Sequence, residues 1–344
     1  MSRRGEVLSL SALCTQAVPP MPESLVVLVG PTAVGKTALS LPIAQVLGAE
    51  IVNVDSRQLY KHMDIGTAKP SLAQQAQVPH HLLDLLLPNQ KSSAVQFATA
   101  ARQVLDELRQ RGKRALLVAG SGLYLQALLY GLMPAPAAYE PLRRVLHRYA
   151  DQHGTAALHR RLQQVDPVAA SYYHPHDRVR LIRALEVTYL TAEPFSRHCQ
   201  RHQDQEPMLP YVGVALTRER ADLYARIAER TGAMLAAGWL AEVERLVASG
   251  YTRACPAMDS LGYRELLAYV AGEMAWPETV TAINKATCQL AKRQLTWFRK
   301  VPRLHWFNLS ACDEQTAVSR IVRHLQSVLE GGASLECGVH TGMC

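Results

Sequence analysis

Gly30-Pro31-Thr32-Ala33-Val34-Gly35-Lys36-Thr37 fits G-x-x-x-x-G-K-[ST], a spacing tied to one kind of chemistry. In such a loop, backbone N–H groups converge on a chain of phosphates and the lysine adds positive charge. The final hydroxyl can reach a metal ion. Something with two or more phosphates is therefore expected at these eight residues. Two other polar positions close apolar runs in the same way. Asp55 follows Glu50-Ile51-Val52-Asn53-Val54, and Ser121 follows Arg114–Ala119 and Gly120.

Such residues need elements to aim them. Leu25-Val26-Val27-Leu28-Val29 before the loop is a continuous apolar run, the mark of a buried parallel strand. Behind the loop, Ala38 to Leu47 carries helix-spaced apolar residues up to Gly48, a stop signal. Residues 50–55 and 114–119 read as further strands. A helix capped at Ser92 or Ser93 runs to Arg111 before Gly112, and another starts at Leu123. The alternation predicts an α/β fold: a P-loop NTPase-like parallel sheet flanked by helices. Ligands in such sheets sit at the carboxyl ends of the strands, where Gly30, Asp55 and Ser121 all fall.

Met133-Pro134-Ala135-Pro136 breaks the rhythm. Residues 138–207 then read as short helices without strand alternation, an insertion domain between core segments 23–137 and 208–330. Tyr211 to Leu216 returns to the sheet. Helices are expected over 221–235, 240–249, 263–271 and 277–299, with a disordered leader over 1–22 and tail over 331–344.

With 48% hydrophobic residues the 344-residue chain is not globally disordered. No apolar stretch is long enough to span a bilayer, and residues 1–20 make a poor signal peptide. Seven scattered cysteines without a CxxC pair suit reduced thiols in a cytoplasm. The tail from Cys337 to Cys344 is read as a frayed end rather than a metal site. Net charge is +8, but its placement matters more: residues 141–203 hold ten arginines against five acids, plus seven histidines. That bias, in a chain with a phosphate loop, points to a polyanion such as RNA.

The remaining motifs come in a fixed order: VDSRQLY from Val54, MDIGTAKP from Met63, PHHLLD from Pro79, AGSGLY from Ala119, HDRVRLIRALEV from His176, LGYR from Leu261 and QLAKRQLTW from Gln289. Together with GPTAVGKT they resemble the tRNA dimethylallyltransferases, or tRNA isopentenyltransferases, in their bacterial form without the zinc-finger extension of some eukaryotic members. The resemblance spans residues 30 to 297.

The resemblance implies that the loop, Gly30 to Thr37, holds the diphosphate of dimethylallyl diphosphate. The exocyclic N6 of adenosine 37, beside the anticodon of tRNAs reading codons that start with U, displaces it. Asp55 is implied as the carboxylate that orients N6 and takes its proton. Ser121, where the family usually has Thr, is implied near the departing oxygen. Lys36 and a magnesium ion held by Thr37 neutralise the leaving group. Among Arg218, Arg220, Arg226 and Arg230, a fork-shaped diphosphate clamp is expected from Arg220 or Arg226. The tRNA is expected to meet Asp55, Ser56, Arg57, Gln58, Ser121, Arg143, Val179, Arg180, Leu181, Ile182, Arg183, Asp259, Ser260, Leu261, Gly262, Tyr263 and Arg264. The insertion would grip the anticodon stem-loop and close one mouth of a reaction channel. A monomer is expected.

Three rival readings exist. An adenylate isopentenyltransferase would prenylate free AMP, ADP or ATP. A small-molecule kinase would leave seven motifs unexplained. A non-catalytic tRNA-binding protein would not be expected to keep Lys36, Thr37, Asp55 and a hydroxyl at Ser121.

Overall fold

Buried apolar runs become the middle of a six-stranded, all-parallel sheet in the computed structural model, which describes residues 25–203 and 207–330. The leader, the tail and the Cys337–Cys344 segment lie outside the described residues. Strands β1 (Leu25–Val29), β2 (Ala49–Val54), β3 (His80–His81), β4 (Arg114–Ala119), β5 (Tyr211–Thr217) and β6 (Leu304–Asn308) are ordered β3-β2-β4-β1-β5-β6. Every residue of β2 and β4 is buried, as expected for parallel strands covered on both faces.

Register fixes what matters for the site. Val29 pairs with Ala119, and Val54 pairs with Ala119 from the other side. The loops leaving β1, β4 and β2 are therefore neighbours at one edge of the sheet. This bears out the expected fold and the convergence of three strand ends. β6 and β3 were not read from the sequence: β3 has two residues, and β6, with His305, Trp306 and Asn308 exposed, is a sheet edge without an apolar run.

The chain divides into two units, Tyr130–Met208 and the segments on either side of it. In the larger unit, helices α1 (Lys36–Leu47), α2 (Leu72–Gln77), α3 (Ala94–Gln110) and α4 (Gly122–Leu129) alternate with β1 to β4. After the helical unit come α10 (Arg220–Ala236), α11 (Trp239–Ala248), α12 (Tyr263–Val270), α13 (Trp276–Phe298) and α14 (Glu314–Glu330). One core packs α1, α10 and α14 on the sheet through Leu39, Ile43, Ile227, Ile321 and others. A second, around Trp239, Val243, Tyr263 and Leu266, also takes in Tyr60 and Met63 from the loop after β2. Burying each such side chain contributes about 1.5–3 kcal/mol.

The smaller unit holds α5 (Glu140–His153), α6 (Thr155–Val165), α7 (Pro167–Tyr172), α8 (Arg178–Thr191) and α9 (Phe195–Gln203). Leu146, Leu158, Leu162, Leu181 and Leu185 form its core. Its boundary takes in the proline-rich stretch because that stretch is tied to α8. Arg183 donates to the Pro136 carbonyl at 3.0 Å, and the Tyr139 N–H donates to Glu186 Oε1 at 2.8 Å.

Candidate active site

The phosphate loop takes its shape from two left-handed residues, Ala33 at φ 62° and Gly35 at φ 114°. Gly35 caps α1, so the loop's amides and the positive end of that helix address the same space. Gly30 has no room for a side chain, since a Cβ there would stand 3.0 Å from the Leu216 carbonyl oxygen. Val34 is wholly buried in the sheet core and anchors the loop from beneath.

Cations surround the loop's carbonyls. Lys36 Nζ donates to the Gly30 and Pro31 carbonyls at 2.8 and 2.9 Å. Arg226 donates to the Ala33 carbonyl at 3.2 Å, and Arg230 donates to Thr32 Oγ1 at 3.0 Å. Arg218 braces the loop from behind through the Val34 carbonyl at 2.9 Å and Asp222. Loss of solvation brings the Lys36 ammonium down to about 8; Asp55 opposes this shift and Arg230 adds to it. Burial also lowers the Arg230 guanidinium from its ordinary range, again against Asp55. Lys36, Arg226 and Arg230 thus concentrate positive charge at the loop, with Asp55 the carboxylate that acts on Lys36 and Arg230.

Arg226 and Arg230 stand one turn apart on α10 and share a face. Arg220 does not join them. Its guanidinium lies over the Tyr224 ring, 5.2 Å from the centroid, at the start of the same helix and outside the cavity lining. Of the two arginines the sequence favoured, the structure brings Arg226 to the loop and leaves Arg220 on the flank. Arg230 takes the second place.

Across the cavity, the β2 and β4 ends form one hydrogen-bonded piece. The Gly120 and Ser121 amides both donate to the Val54 carbonyl, at 3.1 and 3.2 Å. Ser121 Oγ accepts from the Ser56 N–H at 3.0 Å and lies 3.2 Å from Ser56 Oγ. Asp55 Oδ1 accepts from the Arg57 N–H at 2.8 Å, and a Cβ on Gly120 would be 2.8 Å from Asp55 Oδ2. Only glycine leaves that carboxylate its place. Gln58 lines the cavity and spends its amide on Thr67, Ala68 and Asn53, which holds the next loop.

These groups line a cavity of about 1100 Å³ in the larger unit. Thr32, Lys36, Thr37 and Arg230 stand on its wall, as do Asp55, Ser121, Arg57 and Gln294. One face of α13, Ile283, Thr287, Leu290, Gln294 and Trp297, contributes a helix-spaced stripe to it. Gln294 joins both sides. Its Oε1 accepts from the Thr32 N–H at 2.8 Å, and its Nε2 donates to the Gly120 carbonyl at 2.8 Å. Sequence reasoning missed that role, although the 283-287-290-294-297 spacing was a readable signal of one helix face.

Several motif residues turn out to hold loops. Glu242, 3% exposed, accepts from the Asp64, Ile65 and Gly66 amides and from Tyr263 Oη. Burial pushes the Tyr263 phenol up, and its bond to Glu242 adds to that. Lys69 joins Asp64 and Asp84 to the Tyr60 carbonyl. Thus MDIGTAKP and LGYR supply part of the cavity wall, and Asp84 of PHHLLD ties down Lys69 behind it.

Burial corrects the polynucleotide-contact expectation at Leu181 and Ile182. Leu181 and Ile182 lie in the helical unit's core, so their side chains are closed to any polymer. Arg143 and Arg183 both grip the buried carboxylate of Glu186, Arg143 in bidentate fashion. Burial would raise the Glu186 pKa, but the two guanidiniums and the Tyr139 amide outweigh it and hold it at about 2. Ser260 and Tyr263 are almost wholly buried at the cavity border, and Gly262 is pressed against the Trp239 ring. Val179, Arg180, Asp259 and Arg264 are exposed, Leu261 partly so, with Arg180 paired to Asp177 and Arg264 to Glu265.

Among the described residues no group of three or more His, Cys, Asp or Glu side chains is placed to hold a metal ion, and no helix is long and apolar enough to cross a membrane.

A family model described as IPP transferase matches residues 58–301, and one described as isopentenyl transferase matches residues 23–85. A tRNA dimethylallyltransferase of Geobacter sulfurreducens is 44% identical over 287 residues, 83% of this chain and 92% of its own. That of Symbiobacterium thermophilum is 46% identical over 302 residues, 87% of this chain and 94% of its own. The solved structure of a tRNA isopentenylpyrophosphate transferase from Bacillus halodurans superposes with a TM-score of 0.67 at 35% identity. It covers 90% of this chain and 97% of that one.

Proposed function

The chain belongs to the IPP transferase family, the prenyltransferases that modify tRNA, and from that premise we propose how its cavity performs the transfer. Dimethylallyl diphosphate seats its diphosphate on the loop amides that follow Thr32, whose own N–H is held by Gln294, with Lys36, Arg226 and Arg230 around it. The acceptor is N6 of adenosine 37 of a tRNA reading codons that start with U. N6 forms a bond to the allylic carbon as the carbon–oxygen bond to diphosphate breaks, and Asp55 takes the proton that N6 releases.

One observation carries this reading: a cationic phosphate loop and a carboxylate with a neighbouring hydroxyl face each other in one cavity. N6 is a weak nucleophile because its lone pair is delocalised into the purine. A carboxylate positioned to accept its proton is worth roughly 10²–10⁴-fold. The negative charge that grows on the leaving oxygens meets preorganised cations that need not move. Ser121 stands beside Asp55, its hydroxyl fixed by Ser56.

Magnesium fits this donor set only together with the substrate. Among the described residues the protein offers the Thr37 hydroxyl on the cavity wall and no metal-holding carboxylate cluster. That suits an ion held by few protein ligands, by phosphate oxygens and by water. Bound there, it would supply charge neutralisation to the diphosphate.

An anticodon-loop adenosine costs only a few kcal/mol to extrude. The helical unit offers exposed Arg144, Arg148 and Arg160 for the phosphates of the stem. A cytoplasmic setting agrees with Cys199, Cys255, Cys288 and Cys312 being free thiols. Free adenylate is disfavoured as acceptor by likeness to tRNA-modifying relatives over 83% of the chain.

The test is diphosphate release from dimethylallyl diphosphate with and without unmodified tRNA. Release should require both RNA and magnesium and fall roughly 10²–10⁴-fold in Asp55→Ala. Release that ignores RNA, or survives the substitution, would refute the assignment.

A further inference from the structure

Gln294 makes contacts on both sides of the cavity, and its two bonds are of opposite kind. The carbonyl half accepts from Thr32 in the donor-side loop, and the amide half donates to Gly120 on the acceptor side. The Gly120 amide is itself bonded to the Val54 carbonyl, and Asp55 Oδ2 lies 2.8 Å from where a Gly120 Cβ would stand. One rigid carboxamide therefore links the loop that holds the leaving group to the backbone that seats the base.

We infer that Gln294 is a positioning residue that sets the gap between the bound donor carbon and the attacking N6. This deepens the prenyl-transfer reading and rests on it. The chemistry of the link explains the residue type. Only a carboxamide is acceptor and donor at once on a planar fork. Asparagine is one methylene short of spanning from α13, glutamate would turn a second oxygen toward the Gly120 carbonyl, and methionine fills the space without either bond. Without Gln294, the β1 and β4 loops are joined through the strand pairing that ends at Val29 and Ala119. In-line displacement does not tolerate drift: a misplacement of about 1 Å costs on the order of 10²-fold.

A further consequence separates spacing from binding. Thr32 N–H is one amide among several in the loop, and the hydrogen bonds that hold Lys36, Arg226 and Arg230 to the loop are not made to Gln294. Donor affinity should then survive while turnover does not.

The experiment compares the full-length enzyme with Gln294→Met and Gln294→Glu. It measures kcat on an anticodon stem-loop RNA, the Kd of a non-reacting thiolo analogue of dimethylallyl diphosphate, and thermal unfolding. The inference predicts kcat down about 100-fold in the Met variant, analogue Kd within about threefold of wild type, and an unchanged fold. The Glu variant should fail in kcat as well, because it keeps size but loses the donor to Gly120. A Met variant with near wild-type kcat would show that Gln294 only fills space and would overturn the inference. So would parallel losses in kcat and analogue affinity, which would make it a donor-binding group. Wild-type enzyme that transfers no prenyl group to RNA would refute both readings, and is distinct because the failure then precedes any substitution.

Discussion

At the scale of single residues, Lys36 is the group of the phosphate loop whose charge depends most on its surroundings. Lys36 turns its ammonium onto two loop carbonyls, and desolvation brings its pKa to about 8. A bound diphosphate favours the charged form, so binding above that pH must take up a proton. Affinity for the thiolo analogue should be flat from pH 7 to about 8 and then weaken, approaching tenfold per pH unit. Titration calorimetry in two buffers of different ionisation heat would show the uptake directly. A flat profile to pH 9.5 would mean that Lys36 does not meet the diphosphate. In the proposed reaction Asp55 acts on the other partner. In Asp55→Ala, analogue affinity should hold while kcat falls roughly 10²–10⁴-fold, and an affinity loss of the same size would place Asp55 on the donor instead.

At the scale of elements, the site depends on close approaches that a methyl group would prevent. A Cβ on Gly66 would stand 2.0 Å from Trp239 Nε1 and 2.5 Å from the Tyr263 ring. Gly66→Ala therefore forces α11 and α12 away from the loop that Glu242 ties down, at a cost of about 1–3 kcal/mol. Urea unfolding measures it; a variant as stable as wild type would show that this packing is slack. The same elements show what was legible in the sequence. Gly30 to Thr37, Asp55 and Ser121 were readable because a short apolar run, a turn and a helix start are all local signals. Gln294 was not, since its partners lie 262 and 174 residues away along the chain. Arg220 and Arg230 are equally plausible on a helical wheel, and only the entry of α10 past the loop decides between them. Leu181 and Ile182 sat within a motif resembling an RNA-contact segment, yet α8 turns both into its own core. The motif string carried no information about which side of the helix faces solvent.

At the scale of the molecule, the two units have separate cores and separate electrostatic anchors. In the helical unit the anchor is Glu186, fully buried between Arg143 and Arg183. Its pKa is depressed from 4.5 to about 2, so its contribution is whole above 4.5 and drains away as pH falls toward 2. Glu186→Ala leaves two half-buried guanidiniums without their carboxylate and should cost the helical unit about 1–3 kcal/mol. Hydrogen exchange should show protection lost over α5 and α8 while β1, β2 and β4 keep theirs. Uniform loss across both units would mean that they unfold as one. The central claim concerns the reaction itself, and mass spectrometry of nucleosides tests it most directly. An anticodon stem-loop RNA would be incubated with enzyme, magnesium and dimethylallyl diphosphate, beside free AMP and an Asp55→Ala control. The account predicts one prenyl mass increment on the adenosine 3′ of the anticodon, absent from AMP and from the control. Prenylated AMP beside untouched RNA would contradict it.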